Sequence, residues 1–491
     1  SIYGFNEMSS ENTAAPQAHK PKASGGALDR YFKITERGSS ISAEIRGGLA
    51  AFFAMSYIVV LNPLVIGTGA DSAGNTLGVP QVAAVTALVA GVMTILMGVI
   101  ARQPFAMAAG LGVNALLAST IATTPGLTWA DIMGLVIIAG LIMTVLVLTG
   151  FRTAVFEAVP ESLKTAIVAG IGFFIAFIGL VDSGIIRRMP DAAGTTVPVS
   201  LGVGGHLLGW PTLVFIFGLF LTIALFIRNV RGAILIGVVA STVLAIILEA
   251  VFHIGSSKGN PTGWSLNVPA LNNFSFSAPD FSLIGSARFG AFGAIGVLGA
   301  SLLVFAILLS VFFDAMGVSV GLATEAGTID KDGKVENINE VLLVDAVGSV
   351  VGGGASGSAN QIFVESATGI GEGARTGLAN IVTGVLFLLA TFFSPLAGMV
   401  PSYATAGAIL YVSVLMMYTV GEIDWHDITE AAPVAITFLA IPLTYSIADG
   451  ITLGFISYTL VKLICGRWRE LNIGVIVLAA ILLARLIWVH G

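Results

Sequence analysis

Residues 361–377 read QIFVESATGIGEGARTG. Here Glu365 stands between Val364 and Ser366, and glycines follow at 369, 371 and 373. A carboxylate at membrane depth costs about 2.5–3.5 kcal/mol on insertion scales unless something pairs with it or uses it. The glycines argue against one smooth spanning helix. Either something is coordinated here, or the segment is not in the membrane.

Composition excludes the second option. Of 491 residues, 56% are hydrophobic and 10% charged, against about 25% charged in ordinary soluble domains. Mean hydropathy is +0.95, and apolar runs of bilayer-spanning length recur along the chain. The expected fold is an all-α polytopic membrane protein. The net charge of −6 carries little information, because Lys and Arg near span ends set topology and acids contribute weakly. A single cysteine, Cys465, leaves no intramolecular disulfide and no cysteine metal site. His206, His253, His426 and His490 make no metal-ligand spacing, and the chain lacks a phosphate-binding G-x-x-x-x-G-K-[ST] loop. No cofactor is expected.

Residues 1–26 are polar, rich in Pro, Gly and Ser, and read as a disordered tail, with 1–7 a tag scar before a native start at Met8. Residues 27–46 form an amphipathic lead-in on the membrane surface. Spans at about 47–66, 81–101, 104–123, 130–150, 162–182, 211–228 and 232–252 build a first seven-segment unit over 47–252. A polar connection, 253–288, leads to a second unit over 289–491, in which 449–489 holds one or two spans. The total is about 14. Lys20, Lys22, Arg30, Lys33, Arg37 and Arg46 precede the first span and place the N-terminus in the cytoplasm. Arg102, Arg152 with Lys164, and Arg228 with Arg231 then fall on alternate loops; Arg187 and Arg188 depart from the pattern.

The two units resemble each other locally. PFAMAAGLGVNALLAS (104–119) and FVESATGIGEGARTGL (363–378) share an A-x-G-x-G core that aligns Gly110 with Gly369 and Gly112 with Gly371. AVPESLKTAIVAGIGFF (158–174) and MVPSYATAGAILYVSVL (399–415) each enter a span from Val-Pro. An odd number of spans per unit makes the repeats inverted, as in secondary transporters, whose sites form where corresponding helices break near the midplane. Each interrupted segment is expected to be a short extended piece followed by a half-helix. Such backbone survives at this depth only where it is buried in protein or lines a polar cavity.

Two acids lie at that depth. Asp314, in LLVFAILLSVFFDAMGVSVGLA, has ten uncharged residues after it and a long apolar run before it. With Glu365 it forms a pair in which one acid receives ligand hydrogen bonds while the other changes protonation. A structural helix–helix bond is the alternative for Asp314. Asn114 offers a donor and an acceptor to a heterocycle edge, or else staples two helices. Phe105 and Phe363, beside the half-helices, can stack on a planar ligand or simply pack. Ser366 and Thr368 can donate to ligand or to backbone. Asp182, Glu157 and Glu161 are expected near loops on solvated faces, and Asp345 to pair locally.

The same residues carry a family resemblance. ALDRYFKITERGSS (27–40), GLGVNALLA (110–118), FDAMG (313–317), IFVESATGIGEGARTGL (362–378), LFLLATFFSPLAGMVPSYATA (386–406) and WRELNIG (468–474) resemble the AzgA-like purine permeases, a branch of the nucleobase–cation symporters related to uracil and xanthine permeases. The resemblance implies fourteen segments in two inverted repeats divided into core and gate domains. It also implies a purine bound between the half-helices, with Asp314 and Glu365 facing the base and Asn114 and Phe363 near it. Proton symport by an elevator-like movement, and a possible homodimer, follow from the same resemblance. Relatives often read FDTxGT where this chain reads FDAMGV; Ala315 and Val318 lack two hydroxyls, which leaves the base preference open.

The expectation is therefore purine nucleobase uptake with protons as coupling ion, in a multi-pass protein of the cell membrane with the lipid bilayer as its solvent. No enzymatic activity and no nucleic-acid partner are expected. An anion transporter of the same architecture, carrying sulfate or bicarbonate, is opposed by the two acids. A ligand-binding membrane receptor would not need matched broken helices.

Overall fold

The computed structural model describes residues 26–56, 58–151, 154, 158–188, 198–230, 233–265, 268–270, 278–392, 400–444 and 447–488. The expected tail (Gly26 apart), Arg152, Glu157, Arg231 and His490 lie outside them. The chain begins with α1 (Ala27–Phe32), α2 (Ile41–Met55), α3 (Ile58–Ile66) and α4 (Val79–Leu96), the last extended by a π-helical turn, Met97–Ala101. Strand β1 (Met107–Ala109) leads into α5 (Leu111–Thr123), followed by α6 (Trp129–Leu148) and α7 (Glu161–Asp182). A hairpin of β2 (Ile186–Arg188) and β3 (Val199–Leu201) precedes α8 (Trp210–Ile227) and α9 (Ala233–Phe252).

The second half supplies α10 (Ala291–Ala294), the 31-residue α11 (Gly296–Ala326) and α12 (Ile338–Gly354). Strand β4 (Asn360–Ile362), the short α13 (Ser366–Glu372) and α14 (Leu378–Phe392) follow. The chain closes with α15 (Ser402–Met417), α16 (Ile428–Leu443), α17 (Ile447–Ile464) and α18 (Ile473–Trp488). Among the described residues six helices, α4, α6, α7, α8, α9 and α11, are long and apolar enough to cross a membrane.

Helix starts follow local chemistry. Ser40 caps α2 by accepting the Ala43 N–H at 3.1 Å, and Thr128 caps α6 through the Asp131 N–H at 3.2 Å. Pro80 and Pro211 open α4 and α8, where a missing N–H leaves no bond unmade. Both Val-Pro sequences deliver the predicted result: α7 begins right after Pro160 and α15 right after Pro401. These two helices pack closely on one another.

Contacts sort the helices into two bundles. One holds α2–α6 and α11–α14 with both strands of the β1–β4 pair; the other holds α7–α9 and α15–α18. They meet chiefly where α11 crosses α7 and α17, and where α13 and α2 touch α9 and α15.

Two boundaries differ from the sequence reading. The lead-in does not stop at 46: α2 runs from Ile41 into the membrane-facing core, because Gly47 and Gly48 let it lie against the backbone of 369 and 379. The first span is also divided, with α2 ending at Met55 and α3, which contains Pro63, starting at Ile58. At the other end, 449–489 resolves into two helices rather than one. Lys462, on α17 and fully buried, joins Glu430 of α16 at 2.8 Å and Glu470, in the turn before α18, at 2.5 Å. Hydrogen bonds from Lys462 and Arg467 hold the Glu470 carboxyl below the usual carboxylate range.

Among the close backbone approaches in the Glu365-bearing bundle is that of Gly377 to the π turn. A Cβ on Gly377 would stand 1.9 Å from the carbonyl oxygen of Gly98, in the π turn. The Gly377→Ala protein should therefore lose about 1–3 kcal/mol of stability, read as a lower thermal midpoint in detergent. A midpoint equal to that of the unsubstituted protein would mean that the turn yields freely.

Candidate functional site

The two interrupted segments meet. β1 and β4 pair antiparallel with Met107 opposite Ile362, Ala108 opposite Gln361 and Ala109 opposite Asn360. Backbone bonds from Gly110 N–H to Ala359 O and from Phe363 N–H to Ala106 O, each 2.9 Å, extend the ribbon at both ends. A two-stranded ribbon still leaves edge groups that apolar surroundings cannot satisfy. Side chains from neighbouring helices take them. Thr94 Oγ1 accepts the Met107 N–H and donates to its carbonyl, both at 2.9 Å. Asp345 Oδ1 accepts the Ile362 N–H at 3.2 Å. Ser366 Oγ accepts the Ala106 N–H at 2.9 Å, and Asn380 Nδ2 reaches the Phe105 carbonyl at 2.9 Å.

Each strand hands over to a half-helix, and the two N-cap residues are Gly110 and Glu365. By element starts, then, the counterpart of Glu365 is Gly110. The A-x-G-x-G match instead aligns Gly110 with Gly369, one helical turn away. A four-residue slip keeps the small residues on the same helix face, which is why the motif is recognisable although its register is not that of the elements.

Glu365 is almost wholly buried, with 4% of its surface exposed. Asp314 is half-buried in the middle of α11. Its carboxylate lies within electrostatic reach of Glu365, as does that of Asp182 at the end of α7. Asp345, fully buried, is within reach of Asp314. The fold thus brings Asp314 and, from the second bundle, Asp182 within reach of Glu365, and Asp345 within reach of Asp314.

Asp182 corrects the sequence reading, which expected it on a solvated loop face. It closes a 22-residue apolar helix and is half-buried. The available signal was its place at the end of an uninterrupted apolar run, ahead of Ser-Gly. Asp345, expected to pair locally, instead reaches the edge of the β4 strand, 17 residues further along the chain.

The remaining candidates divide by what they touch. Asn114 Nδ2 donates to Asn62 Oδ1, and Asn62 in turn donates to Thr86 Oγ1 at 2.8 Å and the Gly357 carbonyl at 3.3 Å. This amide relay ties α5 to α3 and α4. Ser366 is engaged by the backbone of Ala106, just before β1, while Thr368 is buried in the first turn of α13 and its N–H reaches the Glu365 carbonyl at 3.0 Å. Phe105 is fully buried in the main core. Phe363 belongs to a smaller apolar cluster with Phe52, Val59 and Phe387. A separate apolar cavity of about 30 Å³ lies between α7, α11 and α17, lined by Lys164, Phe313, Met316 and Phe455 among others.

Comparisons with known proteins agree with this architecture. Residues 42–453 match the model of the Permease family. Adenine permease AdeQ of Escherichia coli (strain K12) is 35% identical over 470 residues, 94% of this chain and 97% of that protein. Guanine/hypoxanthine permease PbuO of Bacillus subtilis (strain 168) is 37% identical over 461 residues, 93% of this chain and 99% of that protein. Guanine/hypoxanthine permease PbuG of the same organism is 37% identical over 448 residues, 91% and 96% of the two chains. The match runs from the second residue of α2 into α17 and takes in both half-helices and both bundles: this chain is a multi-pass membrane protein that belongs to the permease family.

Proposed function

We propose that the protein takes up purine nucleobases together with protons across the cell membrane, with its N-terminus in the cytoplasm. The observation that carries this reading is the placement of Glu365 at the N-cap of a half-helix, within electrostatic reach of Asp314. The names of the relatives supply the substrate class.

A neutral planar base needs donors and acceptors matched along its edge. Guanine presents N1–H and an exocyclic amine, which suit one ionised carboxylate in a bidentate pair. Hypoxanthine presents N1–H alone. Adenine presents an acceptor beside an amine and suits a protonated acid or an amide. An unmatched buried polar group costs about 1–3 kcal/mol, enough to rank the bases without excluding one. The second acid takes and releases the proton, and discharging a buried carboxylate lowers the cost of moving it past apolar surfaces. Movement of the first bundle against the second, with base and proton on the half-helices, gives elevator-like alternating access. Asp314, Glu365 and Asp182 together oppose an anion such as sulfate or bicarbonate.

Hypoxanthine uptake into proteoliposomes under an inward proton gradient tests the reading, with adenine, guanine, uracil and sulfate as competitors. Accumulation abolished by a protonophore and blocked by purines alone is the expected result; competition by sulfate would overturn it. Glu365→Gln should keep hypoxanthine binding and reduce uphill accumulation to simple equilibration, whereas full proton-driven accumulation would remove Glu365 from the coupling role. Asp314→Ala should weaken hypoxanthine binding by about tenfold, the equivalent of about 1.4 kcal/mol. Unchanged affinity in titration calorimetry would make Asp314 a structural residue.

A further inference from the structure

The far end of the Glu365 half-helix is as elaborately held as its N-cap. Glu44, in the first turn of α2, accepts three backbone N–H groups just beyond α13: Arg375 at 2.9 Å, Thr376 at 3.3 Å and Ala379 at 3.2 Å. Ser39 Oγ donates to the same carboxylate at 2.6 Å. Arg375 folds back on the C-terminal end of α13, where a cation is favoured, reaching the α13 carbonyl of Ile370 at 2.5 Å and that of Ala374, just past the helix, at 2.8 Å. Arg37 joins the Arg375 carbonyl at 3.1 Å and Glu336 at 3.0 Å. All these ties lie within the first bundle and make the lead-in and α13 one rigid piece.

Glu372, the last residue of α13, reaches the other way. Its side chain is 1% exposed. Oε2 accepts the N–H of Leu235 at 3.1 Å, and Oε1 lies 3.5 Å from Arg46 Nε. Leu235 is the third residue of α9, in the second bundle. The first four N–H groups of a helix have no partner within it, and the helix dipole favours an anion there. Glu372 therefore supplies across the bundle boundary what α9 lacks, and gains a cation from the lead-in.

We propose that Glu372 is a latch between the two bundles, fastened to the first turn of α9 in this conformation and released when the path on the lead-in side opens. The proposal rests on the reading of the chain as an alternating-access transporter. Movement of α13 past α9 must break the Leu235–Glu372 bond, and the released carboxylate keeps Arg46 as its partner. That retained pair lets the latch open without leaving an unpaired buried charge, which would be far more costly.

The test replaces the latch by a removable covalent tie. In a Cys465→Ser background, Leu235→Cys and Glu372→Cys are joined by a reducible bis-methanethiosulfonate cross-linker in proteoliposomes. Hypoxanthine binding should persist, uptake should fall at least tenfold, and reductant should restore it. Undiminished uptake through fully cross-linked protein overturns the latch. A second measurement needs neither substrate nor cysteines: hydrogen exchange in the unsubstituted protein and in Glu372→Gln. Amides of residues 233–236 should exchange at least threefold faster in the variant, with α6 unchanged; equal rates overturn the proposal. If the unsubstituted protein carries no hypoxanthine, the purine reading fails while the exchange comparison still decides the latch.

Discussion

Three residues of β1 and three of β4 pair with one another within a mostly helical, apolar protein, and the candidate site depends on that pairing. An α-helix satisfies its own backbone, so it can stand anywhere in a bilayer; a strand cannot. Once the chain leaves helical geometry at membrane depth, each freed group must find a partner. The two broken segments bond to each other, and Thr94, Asp345, Ser366 and Asn380 take further groups along their edges. The arrangement fixes where both half-helices begin, and with them the height and facing of Glu365. Residues that look like ligand-binding candidates by type thus hold the frame on which the acids are mounted.

The frame is symmetric in architecture and asymmetric in charge. Equivalent N-cap positions carry Gly110 in one half and Glu365 in the other. An inverted repeat can therefore provide two matched half-helix ends while confining the ionisable chemistry to one of them. Asp314 and Asp345 come from the same half as Glu365, and Asp182 approaches from the opposing bundle.

Much of this was legible in the sequence, for identifiable reasons. Gly373, at φ +125°, ends the helix that starts at Ser366, while Gly369 and Gly371 lie inside it, so the half-helix could be read from one stretch. The Val-Pro entries to α7 and α15 were legible because proline acts locally on the backbone. What depends on distant partners was not. No local signal marks Asn62 as the partner of Asn114, or the Ala106 backbone as the partner of Ser366. Asp182 was read correctly at the end of its span, but hydropathy reports the length of an apolar run and not what faces its end. The start of α2 at Ile41 was hidden for the same reason, since polar residues there are stabilised by Glu44 reaching segments near residue 375. Local chemistry writes breaks and caps into the sequence; long-range pairing leaves no comparable trace.

The β1–β4 ribbon also bears on how the protein is made. A growing chain presents residues 107–109 long before residues 360–362 exist, so the first half enters the membrane with a strand whose pairing partner has not been synthesised. Neither half can complete the site alone, and the contact is among the most non-local in the chain, a topology that slows folding. Until β4 arrives, the exposed edge of β1 is open to other strands, including the same segment of a neighbouring nascent chain. The bond from the Met107 N–H to Thr94 lies wholly within the first half, and so is available to that edge while the second half is still being translated.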